Sequence, residues 1–428
     1  MRMKLLYCIM VYPIVVMIMC GCSRNLPIKN DINNDVYVPN TTNQSVMISS
    51  YPAPEENIVS IMPGSTRFPD SAGVGMYAVD PFSNNVLYSP FDNDASIVYC
   101  PQTGCNHSDD SCFAHFENML SFAEYHNKWY IIRTINDTGI QLVEADPASQ
   151  TKREVYTWNS KQNELYTLSY AIYGNNFAYL AVTVVNLDSY VQTNHVYRVE
   201  LSTGKFDIVS SAHGSEFLYP MGGAKDHIVI ASYAITALPN DEVTYFADNP
   251  SATHEEYNEY YKNTIDANTI SQLRCYTSDG TTYTVIADSK NDGYIFSGNV
   301  KMCYEHTVLY QCNNTLYLYD IEKQKSVILW ENDSNIVNYW YLDNHAHCII
   351  EESEDLKLFV IDAATGAVME PRNAFKNQVL RFFPNTETNE LFLGIYMQND
   401  GTFVNAYLAK EAFYMGMFDL AIPSEDRN

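Results

Sequence analysis

The chain has 428 residues and carries 25 Lys and Arg against 51 Asp and Glu, a formal net charge of −26. That surplus repels phosphate backbones and anionic lipid heads, so it excludes nucleic acid as a partner and leaves cationic ligands or plain surface solvation. The length suffices for one large domain or two ordinary ones after the N-terminal segments are set aside.

Residues 1–22 read as a lipoprotein-type signal peptide. Arg2 and Lys4 form a short positive region, Leu5 to Met19 is an apolar run interrupted by Pro13, and Met19-Cys20-Gly21-Cys22 puts a small residue before a cysteine. The run is short for a membrane span and its end suits cleavage. The Gly-Cys junction resembles a bacterial lipoprotein signal. This implies that Cys22 is the lipidated first residue of the mature chain, tethered to the outer face of the cell membrane. An uncleaved N-terminal anchor is the alternative and leaves the bulk on the same side. Residues 23–57 then hold seven Asn and four Pro, with Tyr37 and Tyr51 as their only aromatics. Such a segment buries too little apolar surface to offset its ordering entropy and is predicted to be a disordered linker.

The next landmark is Cys100, Cys105, His107 and Cys112, which read C-x4-C-x-H-x4-C. Three thiolates and an imidazole are the donor set of a closed tetrahedral zinc site. Structural zinc is the first reading; a disulfide between two of the cysteines suits an exported chain, and free thiols would make the spacing accidental. With all four donors engaged no position is left for a catalytic water. His115 is a spare donor, read as a surface residue of an outer strand.

A ten-residue pattern recurs through the rest of the chain: alternating apolar residues, an acid, then a turn. It reads VYRVELSTGK from Val196, LYLYDIEKQK from Leu316, LFVIDAATGA from Leu358 and LVEADPASQT from Leu142, with looser copies from Gln272 and Asn405. Period-2 alternation makes each a half-buried strand, and the turn makes a hairpin into the next. The acid or its equivalent falls at Asp146, Glu200, Thr277, Asp320, Asp362 and Lys410. Aligning SIVYCPQTGC from Ser96 puts Cys100 in the acid's place, with Thr103-Gly104 matching Thr203-Gly204 and Thr365-Gly366. Seven units of about fifty residues, with thicker apolar runs such as WYIIRTI and FAYLAVTVV as inner strands, predict an all-β fold: a seven-bladed β-propeller over 58–424, six or eight blades being the rivals. In this register the cysteine run follows the turn between third and fourth strands.

The longest interval, between Glu200 and Thr277, holds an insertion near 238–270. Thr253-His254-Glu255-Glu256 is a capping-box pattern, and Tyr257, Tyr260, Tyr261 and Ile265 share one face of the helix it would start. Blade order places this helical insertion between second and third strands, on the face opposite the cysteine run, where propellers keep their ligand pocket. The tyrosines are candidate ligand-face residues; packing on the rim is the plainer alternative. Cys303 and Cys312 flank a hairpin and could face each other in a disulfide, while a buried free thiol acting as a small hydrophobe is the commoner case for these two as for Cys275 and Cys348.

No catalytic constellation stands out. His254-Glu255 lacks the second histidine of a zinc protease, since Asn258 occupies its place. There is no G-x-S-x-G elbow and no phosphate-cradling loop. Asp70, Asp80, Asp92 and Asp94 cluster early, yet proximity carries little weight among 51 carboxylates.

The lipoprotein-type signal, polar linker, propeller repeats and early C-x4-C-x-H-x4-C together resemble the uncharacterised TolB-like β-propeller lipoproteins of Gram-positive gut bacteria. The resemblance implies a cell-surface location and no particular activity. The expectation is a membrane-tethered binding module for a glycan, peptide or protein. A polysaccharide-active hydrolase or lyase is the alternative, and a purely structural surface protein the third reading.

Overall fold

The computed structural model describes residues 59–61, 67–69, 75–90 and 96–292 with single-residue breaks, and the strands and turns named below between 295 and 423. The expected signal, Cys22, the linker, Asp70, Asp92 and Asp94 lie outside the described residues.

Among the described residues, after an opening strand β1 (Val59–Ile61), seven antiparallel sheets follow one another along the chain. The first is β2 (Arg67–Pro69), β3 (Gly75–Asp80), β4 (Asn85–Pro90) and β5 (Ile97–Val98). The second is β6 (Met119–Tyr125), β7 (Lys128–Ile135), β8 (Gly139–Asp146) and β9 (Thr151–Trp158). The third is β10 (Glu164–Gly174), β11 (Phe177–Asn186), β12 (Gln192–Glu200) and β13 (Phe206–His213), with β1 added beside β10. The fourth is β14 (Glu216–Ala224), β15 (His227–Ile235), β16 (Thr269–Thr277) and β17 (Tyr283–Asp288). The fifth orders β18 (Ile295–Phe296), β20 (Thr307–Cys312), β21 (Thr315–Asp320) and β22 (Lys325–Glu331), with β19 (Cys303–Tyr304) also on β20. The sixth is β23 (Val337–Leu342), β24 (His347–Glu352), β25 (Leu358–Asp362) and β26 (Val368–Met369); the seventh is β27 (Arg381–Phe382), β28 (Leu391–Met397), β29 (Phe403–Ala409) and β30 (Ile422–Pro423). The fold is therefore mostly β, built of repeated antiparallel sheets.

The repeat has a physical basis in its turn. The amide of Gln150 donates to the Asp146 carbonyl at 2.8 Å, Gly204 to Glu200 at 2.8 Å and Gly366 to Asp362 at 2.8 Å, and each donor residue is left-handed. The acid side chain then holds the turn from inside: Asp146 Oδ1 accepts from the Ala148 amide at 2.9 Å, and Asp320 Oδ1 from Lys323 at 2.9 Å. A β-bulge recurs between third and fourth strands, at Leu142/Val143, Val196/Tyr197, Leu273/Arg274 and Leu316/Tyr317, and such bulges strengthen local twist.

In the first sheet Asp80 closes a turn of the same kind between β3 and β4: its carbonyl accepts from the left-handed Asn84 at 2.9 Å and its Oδ1 from the Phe82 amide at 3.0 Å. The run Ile97–Val98 pairs with β4 through Leu87↔Val98, and that register continued places Cys100 opposite Asn85, the first residue of β4, as Glu200 lies opposite Phe177 and Asp320 opposite Thr307. One expectation needs correcting. At the seventh repeat, Lys410 opens a short helix (Lys410–Tyr414) instead of a turn.

The insertion joins β15 to β16 as two helices, α1 (Glu242–Asp248) and α2 (His254–Asn268). The Thr253–Glu256 capping box forms, with the Glu256 amide donating to Thr253 Oγ1 at 3.2 Å and Glu256 Oε2 accepting from the Thr253 amide at 2.7 Å.

The core around the first three sheets is aromatic. Trp129, Phe116 and Phe122 are fully buried, and Trp129 packs edge-on against Tyr77, Tyr99 and Phe122.

Candidate metal centre

The polypeptide between β5 and β6 is a compact knot closed onto β4 from both ends. Val86 donates its amide to the Ala114 carbonyl at 2.8 Å and accepts from the Tyr99 amide at 3.0 Å, so one residue of β4 holds the entry and the exit of the loop. Inside it, two tight turns present the cysteines. The Cys105 amide donates to the Gln102 carbonyl at 3.2 Å across left-handed Gly104, and the Cys112 amide to the Asp109 carbonyl at 3.0 Å. Asp109 Oδ1 caps the second turn by accepting from the Ser111 amide at 2.9 Å. His107 is itself left-handed, which folds its ring back toward the cysteines.

The structure brings all four expected donors together. One ligand atom from each of Cys100, Cys105, His107 and Cys112 lies within 4.8 Å of every other, and His107 Nδ1 sits 3.2 Å from Cys112 Sγ. A tetrahedral ion with thiolate and imidazole ligands needs donor atoms about 3.5–3.8 Å apart, so the cluster could close on a metal with small side-chain adjustments. The three cysteines are free thiols. Cys112 is buried, which pushes its thiol up to about 12, whereas the His107 backbone N–H donates to Cys105 and holds that thiol below its ordinary value. A metal would have to displace both protons.

His115 is no surface residue. It is 5 % exposed, and its Nδ1 lies 3.2 Å from Asn85 Oδ1, which keeps the ring out of the cluster.

Sequence reasoning missed the groups that grip the knot from the second sheet. Lys152 of β9 donates to the carbonyl oxygens of Cys112 at 2.7 Å, His115 at 2.6 Å and Asp110 at 3.3 Å, with its ammonium 4.1 Å from the centre of the Phe116 ring. Arg133 of β7 forms an ion pair with Asp110. A lysine in a charged outer-strand run gives no sequence signal that it will serve carbonyls forty residues away. An open cleft of about 270 Å³ borders the knot, lined by Cys100, Gln102, Asp110, Phe113, Gln150 and Lys152 among others.

The other expected groups fall elsewhere. The knot sits at the acid-turn end of the first two sheets, while α1 and α2 leave the fourth sheet from the opposite end of its strands. Tyr257, Tyr260 and Tyr261 are half-buried, and Tyr257 and Tyr260 pack against α1: the Tyr260 ring stacks 4.7 Å from Tyr245, and Tyr257 lies 5.2 Å from it. Leu238 and Val243 are the exposed apolar residues of the insertion. Cys303 and Cys312 do not face each other, since Cys303 opposes Val308 and Cys312 opposes Thr315. Burial raises the thiols of Cys275, Cys312 and Cys348.

No family model and no curated protein matches the sequence. Among solved structures the chain is similar to a puromycin-hydrolysing peptidase of Mycobacterium tuberculosis, at 10 % identity and a TM-score of 0.50 over 85 % of this chain and 53 % of that one. It is also similar to an oligogalacturonate lyase in complex with manganese (11 % identity, TM-score 0.46, 83 % and 96 % covered) and to one from Vibrio parahaemolyticus (8 %, 0.44, 81 % and 92 %). The peptidase likeness shows a propeller-type fold alone; at this identity it says nothing of activity.

Proposed function

We propose that the protein is a lipid-tethered, extracytoplasmic binding module: a seven-bladed propeller held off the outer face of the membrane by Cys22 and the 23–57 linker, with structural zinc at Cys100, Cys105, His107 and Cys112. The seven consecutive sheets, and the acid turn that recurs at Asp146, Glu200, Asp320 and Asp362, support the blade count. The signal-like N-terminus, the linker and the cysteine run support kinship with the TolB-like propeller lipoproteins. Three thiols and one imidazole form a soft donor set that favours zinc over oxygen-seeking manganese.

The observation that carries binding is the helical insertion, which leaves the fourth sheet between β15 and β16 and exposes Leu238 and Val243; the carboxylates are in keeping with it. Among the described residues, every carboxylate with a displaced pKa is displaced downward, including buried Glu144 with its two cations and the turn acids Asp80, Asp146, Glu200 and Asp320. A polysaccharide hydrolase needs a carboxyl that keeps its proton near neutral pH, and that requires a shift upward. The ligand class is a glycan, peptide or protein, met on the face that carries α1 and α2, where Leu238 and Val243 are exposed.

The test is a glycan and peptide array probed with the mature protein, run beside an assay for polysaccharide chain cleavage. Binding without turnover, lost when residues 239–266 are replaced by a short turn, is the expected result. The replacement is tolerable because Ile235 and Thr269 are already paired across β15 and β16. Release of new chain ends from any bound polysaccharide would overturn the binding reading in favour of a hydrolase or lyase.

A further inference from the structure

We infer that the cysteine–histidine knot is an inter-sheet latch, which fastens the first sheet of the repeat to the second. The inference rests on the zinc reading above and adds what the metal does for the fold.

Strands do little to fasten the first sheet to its neighbours. Its edge strands are short, β2 contributing three residues and β5 two. The opening strand β1 pairs with β10 of the third sheet, through Val59↔Tyr173 and Ile61↔Ala171. Among the described residues the end of the chain adds no strand to it either: the strands of the seventh sheet all come from residues 381–423 and those of the first all from 67–98. Among the described residues no strand passes between the first sheet and the last.

The knot supplies the fastening that strands do not. Toward the first sheet it is bonded through Val86, through the Phe116 amide on the Asn84 carbonyl at 3.0 Å, and through His115 on Asn85. Toward the second it is held by Lys152 on three carbonyls and by Arg133 on Asp110. Trp129 of β7 packs between the residues that flank the ligands, 5.2 Å from Tyr99 and 5.0 Å from Phe113. Three of the atoms that grip the second sheet are backbone carbonyls, and those point correctly only while the loop keeps its path. The loop is made of tight turns with two left-handed residues, and four converged ligands are what would hold that path. Metal, loop path, Lys152 and sheet contact form one mechanical chain.

The experiment uses the mature protein, purified anaerobically without chelator. Its metal content is measured by elemental mass spectrometry, and backbone hydrogen exchange is followed before and after zinc removal and in Lys152→Met. Lys152→Met keeps the aliphatic stem and every metal ligand. The expected result is about one zinc per chain, with exchange in 75–90 and 119–135 rising together by roughly tenfold or more on zinc removal, while 307–331 is unchanged. Lys152→Met should raise exchange in the same two segments with its zinc retained. Bound zinc whose removal loosens only 100–112 would overturn the latch and leave the zinc reading standing. Protein that neither retains nor takes up zinc would overturn the zinc reading, and the metal latch with it.

Discussion

The amide of Asn84 donates to the carbonyl oxygen of Asp80 at 2.9 Å, with Asn84 in the left-handed region at φ 57°. The same relation joins Gln150 to Asp146, Gly204 to Glu200 and Gly366 to Asp362, and Tyr190 to Asn186 between β11 and β12, so it is the shared hairpin device of these sheets. What varies is whether the left-handed position tolerates a side chain. At Gly204 a Cβ would collide with the Val155 carbonyl of the neighbouring sheet, whereas at Gly366 nothing lies within 4 Å.

Gly204→Ala is therefore expected to cost about 3 kcal/mol, the left-handed strain plus a backbone clash that cannot be relieved by a rotamer change. Gly366→Ala should cost only about 1 kcal/mol, the strain alone. Denaturant titration of the two variants beside the parent checks the ordering. Equal losses would mean that the Val155 contact is not a constraint.

That turn also explains what the sequence could and could not reveal. Asp146, Glu200, Asp320 and Asp362 were legible because an acid after an alternating apolar run is a strong hairpin signal, and all four close the expected turn. Cys100 was legible in its register opposite Asn85, but the loop that follows it, closed onto Val86 from both ends, was not. The turn at Asp80 was not foreseen, because Pro81 and Phe82 disguise it. The four donors of the knot were legible, since ligand type and spacing are local properties. Lys152 and Arg133 were not, because a cation that serves carbonyls or a distant acid is chosen by tertiary geometry. The tyrosines of the insertion were legible as one face of a helix, but α1, the helix that covers Tyr257 and Tyr260, was not foreseen.

Glu144 offers a pH test. It is 8 % exposed and accepts from Lys128 Nζ at 2.8 Å, Arg153 Nη2 at 2.8 Å and the Tyr130 hydroxyl at 3.1 Å. Burial pushes its carboxyl upward, but hydrogen bonds from Lys128 and Arg153 outweigh that and hold it below the ordinary 4.5. The unfolded chain then binds more protons in the acidic range, so the Glu144 contribution is present above pH 4.5 and is lost as pH falls through the lower folded value. Glu144→Gln should cost about 1–2 kcal/mol at pH 7, modest because both cations are partly exposed, and should flatten the acid limb of the stability profile. A profile of unchanged slope below pH 4.5 would assign the acid limb to other carboxylates.

Thiol reactivity should rank the cysteines by environment. In metal-free folded protein, Cys105 is expected to alkylate well ahead of Cys112, because an amide N–H favours the first thiolate and burial disfavours the second, whose thiol lies near 12. Cys275 and Cys312, pushed up to about 12 and about 11 by burial, should stay unmodified until unfolding. Zinc should protect Cys105 and Cys112 together. Peptide mass spectrometry after a timed iodoacetamide pulse reads all of these sites; protection of one without the other would break the four-ligand assignment.

The helical insertion should behave as a semi-independent unit. α1 has no buried residue and is held by rings: Tyr245 stacks on Tyr260 at 4.7 Å and lies 5.2 Å from Tyr257, while the Asn240 amide donates to the Tyr260 hydroxyl at 3.1 Å. Tyr260→Ala removes the stacked ring and the acceptor together. It should release most of the exchange protection of 242–248 while leaving α2 in place, because α2 has its own capping box and buries Ile265. Protection in β15 and β16 should not change, since those strands pair over nine residues from Ile235↔Thr269 to His227↔Thr277 and do not depend on the hairpin. If Tyr260→Ala also loosened β15 and β16, the insertion would be an integral brace of the fourth sheet, and its replacement by a short turn could no longer separate ligand binding from folding.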